Sequence, residues 1–370
     1  EPHCQLRTRP IAILTQLLDM RILVVRLSAL GDLVHTMPAV AALRRSFPSA
    51  EIDWLLDDRY KELVDLVSVV DNRFTLARSG FDAWSSVWRV ARLLRRRRYD
   101  IVIDVQGLLK SAVAARLCGA RRIIGFDAGN LREPAARWLY NESVPVGGAM
   151  HVVEKNLALV RPLVGECSKW EFPISKRPSE VLNRTWIELG LTDGDDFALL
   201  HPGTAWPTKC WSPERYAVLA RRLWRDLRLR SAVLWGPGEE RMAHKVREAS
   251  EGASVLTPST TISDMVAHMR AAAVVVAGDT GPLHVAAAVG TPVVGIYGPS
   301  DPARNGPWSP IDQVISPAEP CRCRVDRKER GSTAVVVRRC FQDTPCVDEI
   351  EVEDVFDAVE RRLNLQVAHD

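Results

Sequence analysis

The chain has 370 residues, 26% of them charged and 46% hydrophobic, with a formal net charge of +3. That length exceeds one ordinary core and calls for two domains. So small a charge gives no reason to expect nucleic acid as a partner, and no apolar segment approaches the ~20 residues of a membrane-spanning helix. Eight cysteines over this length do not make a disulfide framework.

Residues 1–19 read as an extension outside the fold. Asp19 stands where a secretory leader would carry small residues for cleavage, so a cytoplasmic protein is expected. From residue 20 to 170 short apolar runs alternate with amphipathic ones. Strands are expected at 21–26, 51–56, 72–76, 100–105 and 121–125, and helices at 34–46, 59–67, 82–97, 108–118 and 151–163. This alternation implies βαβ units and a mainly parallel sheet. Asp32 falls at the carboxyl end of the first strand, where open α/β sheets place ligands. It reads equally as a helix cap or a catalytic carboxylate. The run Arg95, Arg96, Arg97 and Arg98 is either a solvated helix end or an attraction for anionic headgroups or a phosphorylated acceptor.

Residues 171–178 are proline-broken and polar and are expected to link two domains. A second alternating block fills 179–350, with strands at 197–201, 231–235, 253–256, 273–277 and 292–296. Its helices are expected at 179–189, 213–227, 239–249, 262–270 and 282–288. Ser212-Pro213 is a helix start, serine as N-cap and proline in the first turn. A last helix lies in 351–370, at about 351–363.

No P-loop, dinucleotide fingerprint or G-x-S-x-G elbow is present. In residues 272–302 a buried strand ends at Gly278, Asp279-Thr280-Gly281 turns, and Pro282 opens a helix. Such a helix N-terminus suits a diphosphate, the plain alternative being an ordinary cap by Thr280. His284 is one turn on, within reach of the same phosphates or simply structural. His201-Pro202-Gly203-Thr204 and Lys209 point to the same edge, and a lysine there balances a departing diphosphate unless it is only solvated. Glu239 and Glu240, at the next strand end, suit ribose hydroxyls or the helix dipole. In the first block Lys110, Arg132 and Arg59 are candidates to face an anionic acceptor. Cys321, Cys323, Cys340 and Cys346 form C-x-C, sixteen residues, then C-x5-C. Four thiols suit zinc, but the spacing is not that of a standard ribbon, so ordinary thiols in an irregular loop are the default and no metal is expected.

Together these stretches resemble the ADP-heptose:lipopolysaccharide heptosyltransferases, glycosyltransferase family 9. The resemblance rests on RLSALGDLVHTMP at 26–38, DVQGLLKSA at 104–112, REP at 132–134, HPGT at 201–204, Lys209 with Trp211, WGPGEE at 235–240 and GDTGPLH at 278–284. EIDWLL at 51–56, QGLLKSA and REP are most similar to heptosyltransferase I. The resemblance implies a GT-B architecture, an α/β fold of two doubly wound Rossmann-like domains facing a central cleft. Residues 20–170 would bind the acceptor and 179–350 the nucleotide sugar. It further implies inverting transfer of L-glycero-D-manno-heptose from ADP-heptose to the Kdo of Kdo2-lipid A, on the cytoplasmic face of the inner membrane, without cofactor. Asp32 matches the family's general base. Lys209, as a catalytic and phosphate-binding cation, joins Thr204, Asp279, Thr280, Gly281 and His284 at the donor, with Glu239 or Glu240 at the ribose. Arg59, Gln106, Lys110 and Arg132 become acceptor-binding candidates. The cysteine-rich segment 321–346 and residues 1–19 depart from the pattern. Alternatives are a heptosyltransferase II-like member with another acceptor or donor, a GT-B-like nucleotide-sugar epimerase or hydrolase, and a non-enzymatic scaffold.

Overall fold

The computed structural model describes residues 20–77, 82–147, 150–166, 170–192, 194–323, 340, 342 and 344–367. The expected N-terminal extension lies outside them. The chain forms two compact units, the change between them falling at Pro173–Ile174, with residues 149–152 grouped with the second.

The first unit is a parallel sheet of β1 (Arg21–Val25), β2 (Glu51–Asp57), β3 (Asn72–Leu76), β4 (Ile101–Asp104), β5 (Arg122–Phe126) and β6 (Glu142–Val144), ordered β3-β2-β1-β4-β5-β6. Its helices are α1 (Leu30–Val34), α2 (Met37–Ser46), α3 (Lys61–Asp65), α4 (Asp82–Arg97), α5 (Leu109–Leu117) and α6 (Val152–Val164). In β1 the residues Ile22, Leu23, Val24 and Val25 are all buried. A central parallel strand is covered on both faces, so it is apolar throughout rather than alternating. Val24 pairs with Trp54 on one side and Val25 with Asp104 on the other. All strands being parallel, the loops after β1, β2, β4 and β5 emerge on one edge.

The helix expected over 34–46 is α2, and a separate short helix not expected from the sequence, α1, precedes it. Thr36 is the N-cap of α2 and Pro38 lies in its first turn. Proline lacks the N–H that a continuous helix would need there, so the chain stops and restarts.

The second unit holds β7 (Ala198–His201), β8 (Ser231–Val233), β9 (Ser254–Leu256), β10 (Val274–Gly278), β11 (Val293–Ile296) and β12 (Gln313–Ile315), ordered β12-β11-β10-β7-β8-β9. Read from the other edge this is the strand order of the first unit, a doubly wound arrangement. Its helices are α7 (Glu180–Leu189), α8 (Pro213–Leu227), α9 (Glu240–Ala249), α10 (Ile262–Ala271), α11 (Gly281–Ala288), α12 (Pro302–Asn305) and α13 (Val352–Val367). Ser212 caps α8 by accepting from the Arg215 N–H. Val355, Phe356 and Val359 of α13 pack into one core with Trp211, Tyr216, Leu223, Val274 and Val276. The last helix is therefore built into this unit.

Candidate active site

The edge of the first unit is organised around Asp32. It is the third residue of α1, and its Oδ2 accepts from the Ala29 N–H at 3.2 Å, so it does cap the helix. It is also 38% exposed and lies 2.6 Å from Nη2 of Arg26. Arg26 is buried, and its Nη1 donates to the Val105 carbonyl at 2.8 Å. A guanidinium fixed this way orients the carboxylate. The rest of the loop is braced from β4 and β2. Gln106 Oε1 accepts from the Leu27 and Ser28 N–H groups at 3.0 and 3.2 Å, and Trp54 Nε1 donates to the Arg26 carbonyl at 3.2 Å. Gln106, expected at the acceptor, thus supports the loop that carries Asp32.

Asp104 braces the same edge from beneath. It is fully buried and accepts from Tyr140 Oη at 2.7 Å, Ser111 Oγ at 2.9 Å and the N–H groups of Gln106 and Gly107. Burial nevertheless pushes its carboxyl up to about 6, against those four donors. Gly107 sits at φ +69, and a Cβ there would come within 2.9 Å of Leu131. In the REP motif Glu133 accepts from the Leu109 N–H at 2.7 Å, satisfying the start of α5. Lys110 and Arg132 are exposed. Arg59, the third acceptor candidate, is paired within the unit. Its Nε and Nη2 form a bidentate pair with Asp57 at 2.9 Å each. Burial works against the Asp57 charge, but these bonds outweigh it and hold that carboxyl below its usual range.

On the edge of the second unit, Lys209 forms an ion pair with Asp279. The Asp279 side chain is only 4% exposed. Its Oδ1 accepts from Asn305 Nδ2 at 2.7 Å and lies 3.3 Å from His284 Nε2. Burial opposes the charge, but His284 and Lys209 prevail and hold the carboxyl well below the carboxylate range. Asp279 therefore anchors Lys209 and His284 instead of offering a free oxygen to a ligand. The Lys209 loop is fixed by Trp211, buried edge-on to Tyr216 at 4.9 Å and donating from Nε1 to the Ile350 carbonyl at 2.9 Å. Gly278 lets the loop lie close, since a Cβ there would stand 3.3 Å from the Lys209 carbonyl oxygen.

Thr280 is the N-cap of α11 but makes no side-chain cap bond, and its Oγ1 is buried without a partner. An unpaired hydroxyl beside the free N–H groups of a helix start is suited to an anion. Thr204 instead braces its own loop, donating to the Trp206 carbonyl at 2.8 Å. Glu239 and Glu240 part company. Glu239 lies in the loop after β8, accepts from the Gly236 N–H at 2.8 Å, and rests against Gly203, where a Cβ would fall 2.1 Å from its Cδ. Glu240 is exposed and lies 4.0 Å from His244, away from that loop. His201 is buried, with Nδ1 3.2 Å from the Leu234 carbonyl; burial lowers its pKa, the Glu239 charge opposing.

Arg26, Asp57, Asp104 and Asn305 carry this geometry and were not singled out by sequence. Arg26 and Asp104 open two of the quoted motifs, at 26–38 and 104–112, but neither was given a role there.

The sequence model of glycosyltransferase family 9 (heptosyltransferase) matches residues 87–333. The chain is 32% identical over 321 residues to a lipopolysaccharide heptosyltransferase 1 of Pseudomonas aeruginosa, covering 82% of this chain and 85% of that protein. An E. coli heptosyltransferase WaaC solved with ADP superposes with a TM-score of 0.70 at 23% identity, covering 93% of this chain and 100% of that one. E. coli ADP-heptose heptosyltransferase II gives 0.74 at 20%, covering 94% and 100%. These likenesses match the GT-B fold, which the two six-stranded sheets reproduce.

Proposed function

Because the chain belongs to glycosyltransferase family 9, the heptosyltransferases, we propose that it moves L-glycero-D-manno-heptose from ADP-heptose to the Kdo of Kdo2-lipid A, with inversion, in lipopolysaccharide core assembly. The observation that carries this reading is the exposed, Arg26-oriented carboxylate of Asp32 at the end of a central strand. Asp32 takes the proton of the acceptor hydroxyl as its oxygen attacks the anomeric carbon and the bond to the diphosphate breaks. A positioned base of this kind contributes roughly 10²–10⁴ in rate. The bonding pair leaves with ADP, adding one negative charge on its terminal phosphate; Lys209, Thr280 and the start of α11 at Gly281 meet it. Glu239 accepts from the ribose hydroxyls. Lys110, Arg132 and the outer side of the Arg59 guanidinium are suited to the acidic acceptor.

Among the described residues no helix is long and apolar enough to cross a membrane. A peripheral place on an anionic leaflet is supported by α4. It exposes Trp88 and Leu93 among the exposed Arg89, Arg92, Arg95 and Arg96, while Arg97 turns inward to Glu51 and Asp53. An aromatic interleaved with arginines fits a headgroup region.

The reading is tested by mass spectrometry of Kdo2-lipid A incubated with the protein and ADP-heptose. A gain of one heptose, only with both substrates present, is expected. Donor loss without acceptor would replace it with a hydrolase or epimerase, and no gain with intact donor would reject this substrate pair.

A further inference from the structure

Three loops of the second unit meet around Asp279. In its sheet β10 lies between β11 and β7, and the three run parallel, so the loops that follow them leave the same edge. Lys209 comes from the loop after β7, Asp279 directly follows β10, and Asn305 ends the short helix α12 beyond β11. The central carboxylate is divided between the two flanking loops. Lys209 takes Oδ2, while Oδ1 accepts from Asn305 Nδ2 at 2.7 Å and lies 3.3 Å from His284 Nε2. Both members of the ion pair are enclosed, the side chains of Lys209 and Asp279 being 12% and 4% exposed.

Asn305 is itself held. Its carbonyl accepts from Tyr297 Oη at 3.0 Å, and Tyr297, the residue after β11, is fully buried. Asp301 caps α12 by accepting from the Ala303 N–H at 3.1 Å. The chain then turns tightly at Gly306, where a Cβ would come within 2.6 Å of the Pro302 carbonyl oxygen. An amide fixed in this way is a neutral donor of set direction. It satisfies one oxygen of the carboxylate without adding a cation that would compete with Lys209 for the charge. Freed of that bond, the carboxylate can turn both oxygens to the lysine and draw the ammonium inward.

We propose that Asn305 is a positioning residue of the donor site: by taking Oδ1 of Asp279 it leaves Oδ2 to Lys209, and so fixes where the ammonium meets the charge that collects on departing ADP. The inference deepens the transferase reading and rests on Lys209 as the cation of that site. Asn305 touches no substrate; it acts through Asp279 and then Lys209.

The test is a double-mutant cycle on Asn305 and Lys209 in the full chain, read as affinity for ADP and for ADP-heptose by calorimetry. Neither ligand needs an acceptor, so the result holds whichever acceptor the enzyme uses. ADP carries the extra charge that Lys209 meets, so Asn305→Ala should weaken ADP about tenfold and ADP-heptose by less than about threefold. In a Lys209→Ala background the same change should cost ADP less than about twofold, because the contact it orients is gone. Thermal midpoints show whether each protein is folded; Asn305→Leu, close in size and without a donor, replaces the alanine variant should that one not fold. Unchanged ADP affinity in the Asn305 variant, an equal loss for both ligands, or the same loss with and without Lys209 would overturn the role, since a merely structural asparagine gives one of these. Unchanged ADP affinity in Lys209→Ala would also overturn it, by removing the assignment of Lys209 on which it rests.

Discussion

Asp32 and Asp279 occupy comparable places, each shortly after a central strand, Asp32 in the first turn of α1 and Asp279 in the turn before α11, yet their surroundings are opposite. Asp32 is 38% exposed and held by one guanidinium. Asp279 is 4% exposed and enclosed by Lys209, His284 and Asn305. A carboxylate that must take a proton from a substrate has to keep an oxygen accessible. One that holds a lysine and a histidine in place does better enclosed, where each charge-assisted bond is stronger. Residue type and position in the fold were the same; the neighbours assign the task.

The comparison breaks first at Asp32. Asp32→Asn should lower kcat by about 10³ while ADP-heptose affinity, read by calorimetry, stays within about twofold. Turnover near the wild-type value would strip Asp32 of its role. Lys209→Ala should cost about 10² in kcat, in the range of other lost charge-stabilising contacts. It also leaves the buried Asp279 without its lysine partner, so a lower thermal midpoint should accompany the loss.

Proton linkage sharpens the contrast with a third aspartate. Asp279 is held below its ordinary 3.8 in the folded chain. Its stabilising contribution is therefore present above 3.8 and is lost as pH falls from there towards the lower folded value, so the thermal midpoint should drop progressively below about pH 4, and Asp279→Asn should flatten the drop. Asp104 acts in the other sense. Raised to about 6, it favours the folded state when protonated, and that advantage is lost as pH rises through 6. Asp104→Asn should remove the loss between about pH 4 and 6. The smallest effect separates adjacent glutamates: Glu239→Gln should raise the donor KM about tenfold, the worth of a charge-assisted bond, whereas Glu240→Gln should leave it unchanged.

Central strands were readable because Ile22 to Val25 and Val274 to Val276 are buried on both sides and therefore apolar throughout. The edge strands β6 and β12 were not. Each is three residues long and only half-buried, which leaves no periodicity to detect. The break at Pro38 was visible as a residue but not as a boundary, since proline also fits the first turn of a helix. In the site, Asp32, Lys209 and Glu239 follow closely on strand ends and could be picked out there. Their supports could not. Arg26 reaches Val105, 79 residues away, and Asn305 reaches Asp279 across 26, distances that only the closed sheet brings together. The pairing of Arg59 was hidden for a different reason: its partner Asp57 is only two residues away, and nothing in the local sequence marks the bidentate pair they form.

The central claim is that one carboxylate activates the acceptor for a single displacement. It is tested most directly by the anomeric configuration of the transferred heptose, read by NMR on product from one turnover. The account predicts the configuration opposite to that of the donor. Retention would require a covalent glycosyl-enzyme or a front-face route, and would contradict the role given to Asp32.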